Sequence, residues 1–194
     1  PAAFHQVEIR GDVEIANWVG ISSVSKAEDL LFNIDILLKE NGIDRRQISS
    51  IAVSAGPGSF TGIRIGIATA LGLKAGLGIE MWSESALRAM AFSAGSEGTL
   101  TAALPVGRDA ICLQSFGAGS CTPIDEPHTL SEVDLSELIS GNSSTKFLVH
   151  ERLYEKMNER PNLVNFGFGL ATAIGRVCRA DRSVRTPLFI SKSF

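Results

Sequence analysis

Residues Ser54–Gly78 read SAGPGSFTGIRIGIATALGLKAGLG, and no other stretch of the chain joins so many backbone-special residues to so long an apolar run. The preceding Ile48–Val53 is apolar and β-branched, which predicts a short buried strand, and Gly56-Pro57-Gly58 predicts a turn that ends it. A helix should follow. Ser59 or Thr61 can cap it, and apolar residues recur at Ile63, Ile67, Ala70, Leu71 and Ala75 with spacings of three and four. Gly62, Gly66, Gly72 and Gly76 each cost a helix interior about 1 kcal/mol relative to alanine, so packing must offset roughly 3 to 4 kcal/mol. Gly62, Gly66 and Ala70 form one stripe of small residues, and Ala68, Gly72 and Gly76 a second. Neighbouring backbones can approach such a helix closely.

The rest of the chain is organised around this unit. Ala3–Ile9 and Val13–Val19 alternate about Arg10-Gly11-Asp12, which predicts an antiparallel hairpin. Ser25 precedes helical spacing at Ala27, Leu30, Leu31, Ile34, Leu37 and Leu38, ended by Asn41-Gly42. After the glycine-rich helix come a strand at Ile79–Trp82 and a helix from Ser83 to about Ser93, giving the order β-β-α-β-α-β-α. Residues 94–98 are the expected linker. Beyond it, strands are predicted at Leu100–Val106, Ala110–Phe116, Lys146–Val149 and Leu163–Phe166. Helices are predicted at Ser131–Ile139, Glu151–Asn158 and Leu170–Cys178, and a loop over Gly117–Pro127 has room for a short strand. The second half thus repeats the first with one more strand at its start, and halves at residues 1–96 and 97–194 are expected. The same comparison leads us to expect a strand of the first half ahead of Pro1.

Composition narrows the function. With 194 residues, 44% hydrophobic and 20% charged, the chain suits one large globular domain or two small ones. A net charge of -3 and a pI of about 5.7 provide no basic stripe for direct nucleic-acid binding. Cys112, Cys121 and Cys178 show no C-x-x-C spacing, so neither a disulfide framework nor a zinc site is expected, and a reducing, cytoplasmic setting is the simplest reading. Arg64 and Lys74 interrupt the most apolar stretch, Ile63–Ile79, which is shorter than the ~20 residues of a bilayer span, and no signal peptide is visible.

Gly56-Pro57-Gly58-Ser59-Phe60-Thr61-Gly62 invites comparison with phosphate-binding loops, because free N–H groups at a helix N-terminus attract anions. It is neither a P-loop, which needs Lys after its last glycine, nor a G-x-G-x-x-G fingerprint. A tight structural turn and an anion contact both remain open. No catalytic residue is assigned. Ser59 lacks a G-x-S-x-G elbow, and His5, His128 and His150 lie in unrelated contexts without the i, i+4 spacing of a metal pair. No metal or cofactor is expected, and Glu151 and Glu155 fit a solvated helix face.

The stretch SAGPGSFTGIRIGIATALGLKAGLGI resembles the hallmark of the TsaB (YeaZ) family: GPGSFTG, then L/I-R-I-G, then a small-residue helix. Looser similarity extends over the hairpin and Leu-rich helix, Ser83–Leu87, and Pro187–Ile190. The resemblance implies an α/β fold of two RNase H-like halves, the actin-like ATPase (ASKHA) architecture. The family's opening D-T-S strand has no counterpart here, and its D-A-R-R-G segment is replaced by Pro105-Val106-Gly107-Arg108-Asp109. The function implied is a non-catalytic partner in making N6-threonylcarbamoyladenosine beside the tRNA anticodon. A TsaD-like partner would carry the metal and catalysis, and a TsaE-like ATPase and the threonylcarbamoyl-AMP synthase would complete the pathway. Contact with tRNA would be indirect. The rival reading is a nucleotide-binding enzyme or peptidase of the actin-like or glycoprotease class, with nucleotide held near Gly56–Gly62.

Two helices, Lys26–Asn41 and Phe60–Leu77, are expected to dock the partner. The first is apolar at Leu30, Leu31, Phe32, Ile34, Ile36, Leu37 and Leu38, wider than the stripe needed to cover a sheet, and the second is apolar or small almost all round. Leu31, Phe32, Arg64, Gly66, Ala70, Leu71 and Lys74 are the expected contact residues, for the partner or for a homodimer. Packing of the two helices on each other is the alternative.

Overall fold

The computed structural model describes residues 5–10, 13–19, 29–95, 97–107, 109–119, 121–157, 160–167 and 169–181. Ser25, Lys26 and Ala27 of the first expected helix, the turn residues Gly11, Asp12 and Arg108, and the Pro187–Ile190 segment lie outside these residues. The chain forms two compact units: residues 1–85 with 169–194, and residues 86–168.

Unit 1 opens on the hairpin β1 (His5–Arg10) and β2 (Val13–Val19), antiparallel with an irregularity at Glu8/Ile9. Helix α1 (Asp29–Glu40) follows. Gly42, at φ +65°, ends it: Gly42 N–H donates to the Lys39 carbonyl at 3.1 Å and Ile43 N–H to the Leu38 carbonyl at 2.9 Å. A single 3-10 turn, Arg45–Gln47, is held by an Asp44 capping box. Strand β3 (Ser50–Gly56), helix α2 (Phe60–Leu77) and strand β4 (Glu80–Ser85) then form a parallel crossover, with Ile51 opposite Met81 and Val53 opposite Ser83. β1–β2 and β3–β4 are separate two-stranded sheets. Helix α6 (Leu170–Ala180) packs against β1, β3 and β4, burying Thr172, Ala173, Ile174, Val177 and Cys178 on one face.

Unit 2 starts with helix α3 (Ala86–Ala94), followed by β5 (Leu100–Val106), β6 (Ala110–Phe116), β7 (His128–Leu130), α4 (Glu132–Gly141), β8 (Lys146–His150), α5 (Glu151–Tyr154) and β9 (Leu163–Phe166). Its sheet runs β7-β6-β5-β8-β9, with β5 antiparallel to β6 and parallel to β8. Because β5 is covered on both faces, it reads as an apolar run rather than an alternation. Ala103, Ile111, Leu113, Phe147 and Val149 meet Leu135 and Ile139 of α4 and Leu153 of α5 in one core cluster. α3, with Ala86, Leu87, Ala89, Met90 and Ala91 buried, packs on β5, β6 and β8.

The units therefore divide differently from halves at 1–96 and 97–194. α3 belongs with unit 2 and α6 with unit 1. Helical periodicity shows that a face is apolar but not which sheet will cover it. β4 also extends through Ser85, where the sequence predicts a helix start at Ser83. Ser83 and Glu84 stay in the ladder because they pair with Val53 and Ser54.

Candidate interaction surface

The link from β3 to α2 is shaped by its backbone. Gly56 has φ +101°, which L side chains rarely adopt, and a Cβ there would stand 3.0 Å from Ile63 Cδ1. The positive φ is what calls for glycine here, since the Ile63 side-chain end could shift slightly. The Gly56–Pro57 bond is cis. Ser59 caps α2 by accepting a hydrogen bond from Gly62 N–H at 3.3 Å, and its carbonyl accepts one from Ile63 N–H at 2.8 Å. Thr61, the other expected cap, is the second helical residue and is exposed. Phe60 is exposed beneath the Arg64 guanidinium, 3.8 Å from the ring centroid, a contact worth about 0.5–1 kcal/mol at such a site.

The electrostatics beside this loop are mixed. The N-terminus of α2 favours negative charge. Glu84, however, is buried opposite Ser54 in the parallel ladder, with its Oε1 accepting Ser85 N–H at 2.7 Å. Gly56–Gly62 form a turn and a helix start that Ser59 caps. Among the described residues no group of three or more His, Cys, Asp or Glu could hold a metal ion. His150 caps α5 through Nδ1, which accepts Arg152 N–H at 3.3 Å, and His128 Nδ1 lies 3.2 Å from the Glu126 carbonyl, so both serve local structure in unit 2.

The two stripes of α2 separate. The Gly62–Gly66–Ala70 stripe turns to its own sheet: a Cβ at Gly66 would lie 3.8 Å from Val53 Cγ2, and Ala70 is buried in a core cluster with Ile67 and Met81. Ala70, expected among the partner contacts, is buried in unit 1, and Gly66, expected there too, is half-buried over Val53. The Ala68–Gly72–Gly76 stripe is open. Ala68, Gly72 and Gly76 are exposed, and a Cβ at either glycine would meet nothing within 4 Å. Leu71, Lys74 and Arg64 are exposed on α2, while on α1 only Leu30 is buried among the described apolar residues. Leu31 is 54% and Phe32 64% exposed. Among the described residues, each helix thus leaves apolar surface uncovered.

α2 is also the one helix among the described residues long and apolar enough, by length and composition, to cross a membrane. Its place as the crossover between β3 and β4, with Ile67 and Ala70 buried against that sheet, is that of an α/β core helix.

Solved structures share this fold. YeaZ from Pseudomonas aeruginosa superposes with a TM-score of 0.68 at 20% identity, covering 93% of this chain and 88% of that one. A second solved structure, described as an uncharacterized protein with similarity to peptidase YEAZ from Pseudomonas aeruginosa, gives 0.66 at 19% identity over 93% and 88%. The fold is that of the actin-like ATPase class, a mixed α/β architecture. A family model described as TsaD, tRNA N6-adenosine threonylcarbamoyltransferase, matches residues 21–115. The tRNA threonylcarbamoyladenosine biosynthesis protein TsaB of Buchnera aphidicola is 46% identical over 50 residues, and that of Haemophilus influenzae 41% over 61 residues. Together these matches support a TsaB (YeaZ) family assignment. The aligned stretches span 26% and 31% of this chain and 23% and 26% of the two relatives.

Proposed function

We propose that this chain acts in the biosynthesis of N6-threonylcarbamoyladenosine in tRNA as a non-catalytic subunit that binds and activates a TsaD-like protein. The observation that carries the proposal is apolar surface left uncovered on each helix: Leu31 and Phe32 stand exposed on α1, and Leu71 on α2 next to the open Ala68–Gly72–Gly76 stripe of that helix. Such surface suits a helical partner: the leucines and Phe32 supply apolar area, and Gly72 and Gly76 admit a close backbone. The same surface serves self-association when the partner is missing. In this reading tRNA is held by the assembled complex, a TsaE-like ATPase joins through that complex, and the setting is the cytoplasm. The chain's net charge of -3 accords with indirect contact to tRNA.

The test is reconstitution of tRNA threonylcarbamoylation from purified components, with each protein omitted in turn. We expect modification to be lost without this chain, and the chain alone to turn over neither ATP nor peptides. Retained modification in its absence would overturn the activating role. Robust ATP or peptide hydrolysis by the chain alone, abolished by Ser59→Ala or Arg64→Ala, would favour the enzyme reading.

A further inference from the structure

We draw no further inference here: the strongest candidate, the pair of strand edges that β1 and β3 present beneath α6 in unit 1, carries nothing new because a strand joining them restates the sheet that the family fold already implies.

Discussion

Ala70 and Leu71 are adjacent on α2, about 100° apart around its axis: Ala70 is 4% exposed in the cluster with Ile67 and Met81, while Leu71 is 37% exposed. If α2 docks a partner, these two neighbours separate folding from association. Ala70→Asp places a carboxylate in the core beside Ile67 and Met81 and should destabilise unit 1 by about 3 kcal/mol or prevent its folding. Phe32→Asp should change stability by no more than about 0.5 kcal/mol and Leu71→Asp, partly covered, by about 1 kcal/mol, yet both should weaken binding to a TsaD-like partner at least tenfold. Thermal denaturation and titration calorimetry on the same variants separate the two effects. Unchanged affinity of folded Leu71→Asp and Phe32→Asp proteins would place the interface elsewhere.

Gly72 and Gly76 allow a sharper test because no described residue fills the space above them. Alanine at either position improves helix propensity and restricts the unfolded chain, which should stabilise the protein by about 0.5–1 kcal/mol per site. If a partner helix seats against this stripe, the added methyl groups hold it off. The double variant Gly72→Ala/Gly76→Ala is therefore expected to melt at a higher temperature and to bind more weakly. A double variant that binds as tightly as the parent would remove the stripe from the interface.

Ser59→Ala removes the hydroxyl that accepts Gly62 N–H, and a lost N-cap costs about 1 kcal/mol. We expect that loss in urea denaturation, with a similar slope and a lower midpoint. Partial restoration by Ser59→Asp, whose carboxylate can also cap, would identify the role as structural.

In unit 2, Arg160 ties the approach to β9 to the end of α4. Its Nη1 donates to the Ser136 carbonyl at 2.7 Å and to Ser140 Oγ at 2.8 Å, and its Nη2 donates to Ser136 Oγ at 2.9 Å. Arg160→Ala should cost about 1–3 kcal/mol and leave association through α1 and α2 unaltered. A fall in partner affinity at temperatures where the variant is fully folded would contradict that separation.

The thiols report on alkaline stability. Burial pushes Cys112 up from 9.0 to about 11, and raises Cys121 against an opposing pull from Arg88. An unfolded thiol loses its proton near the ordinary value, before the folded one does, so ionisation favours the unfolded chain as pH rises. The contribution from Cys112 should be fully present below about pH 9 and lost between about 9 and 11. The three cysteines are all buried. A thiol reagent at pH 8 should react slowly with the native protein and with three thiols once it is unfolded. Rapid labelling of the native state would contradict this burial.

What could be read from the sequence depended on how local the cause was. Ser59 as a cap, Gly42 as the end of α1 and the Ser131 capping box on α4 are interactions within a few residues, and each is found in the structure. The extension of β4 through Ser85 and the placement of α3 and α6 depend on distant strands, so periodicity could not supply them. β7 at His128–Leu130 falls just past the expected loop, because three residues are too few to show alternation. For the interaction surface, spacing identified two small-residue stripes on α2 but could not say which one the sheet takes. Val53 and Met81 decide that.

The position of α6 also orders assembly in time. It covers β1, β3 and β4, yet it is the last described element, and residues 86–168 intervene before it. During synthesis the strands of unit 1 emerge from the ribosome long before their covering helix, while unit 2 has all of its own elements contiguous. Unit 2 can complete its core first. Unit 1 closes only when a contact spanning most of the chain has formed, so its final step is the slow, high-contact-order one, and a nascent chain stalled before Leu170 would expose the apolar side of β3 to chaperones.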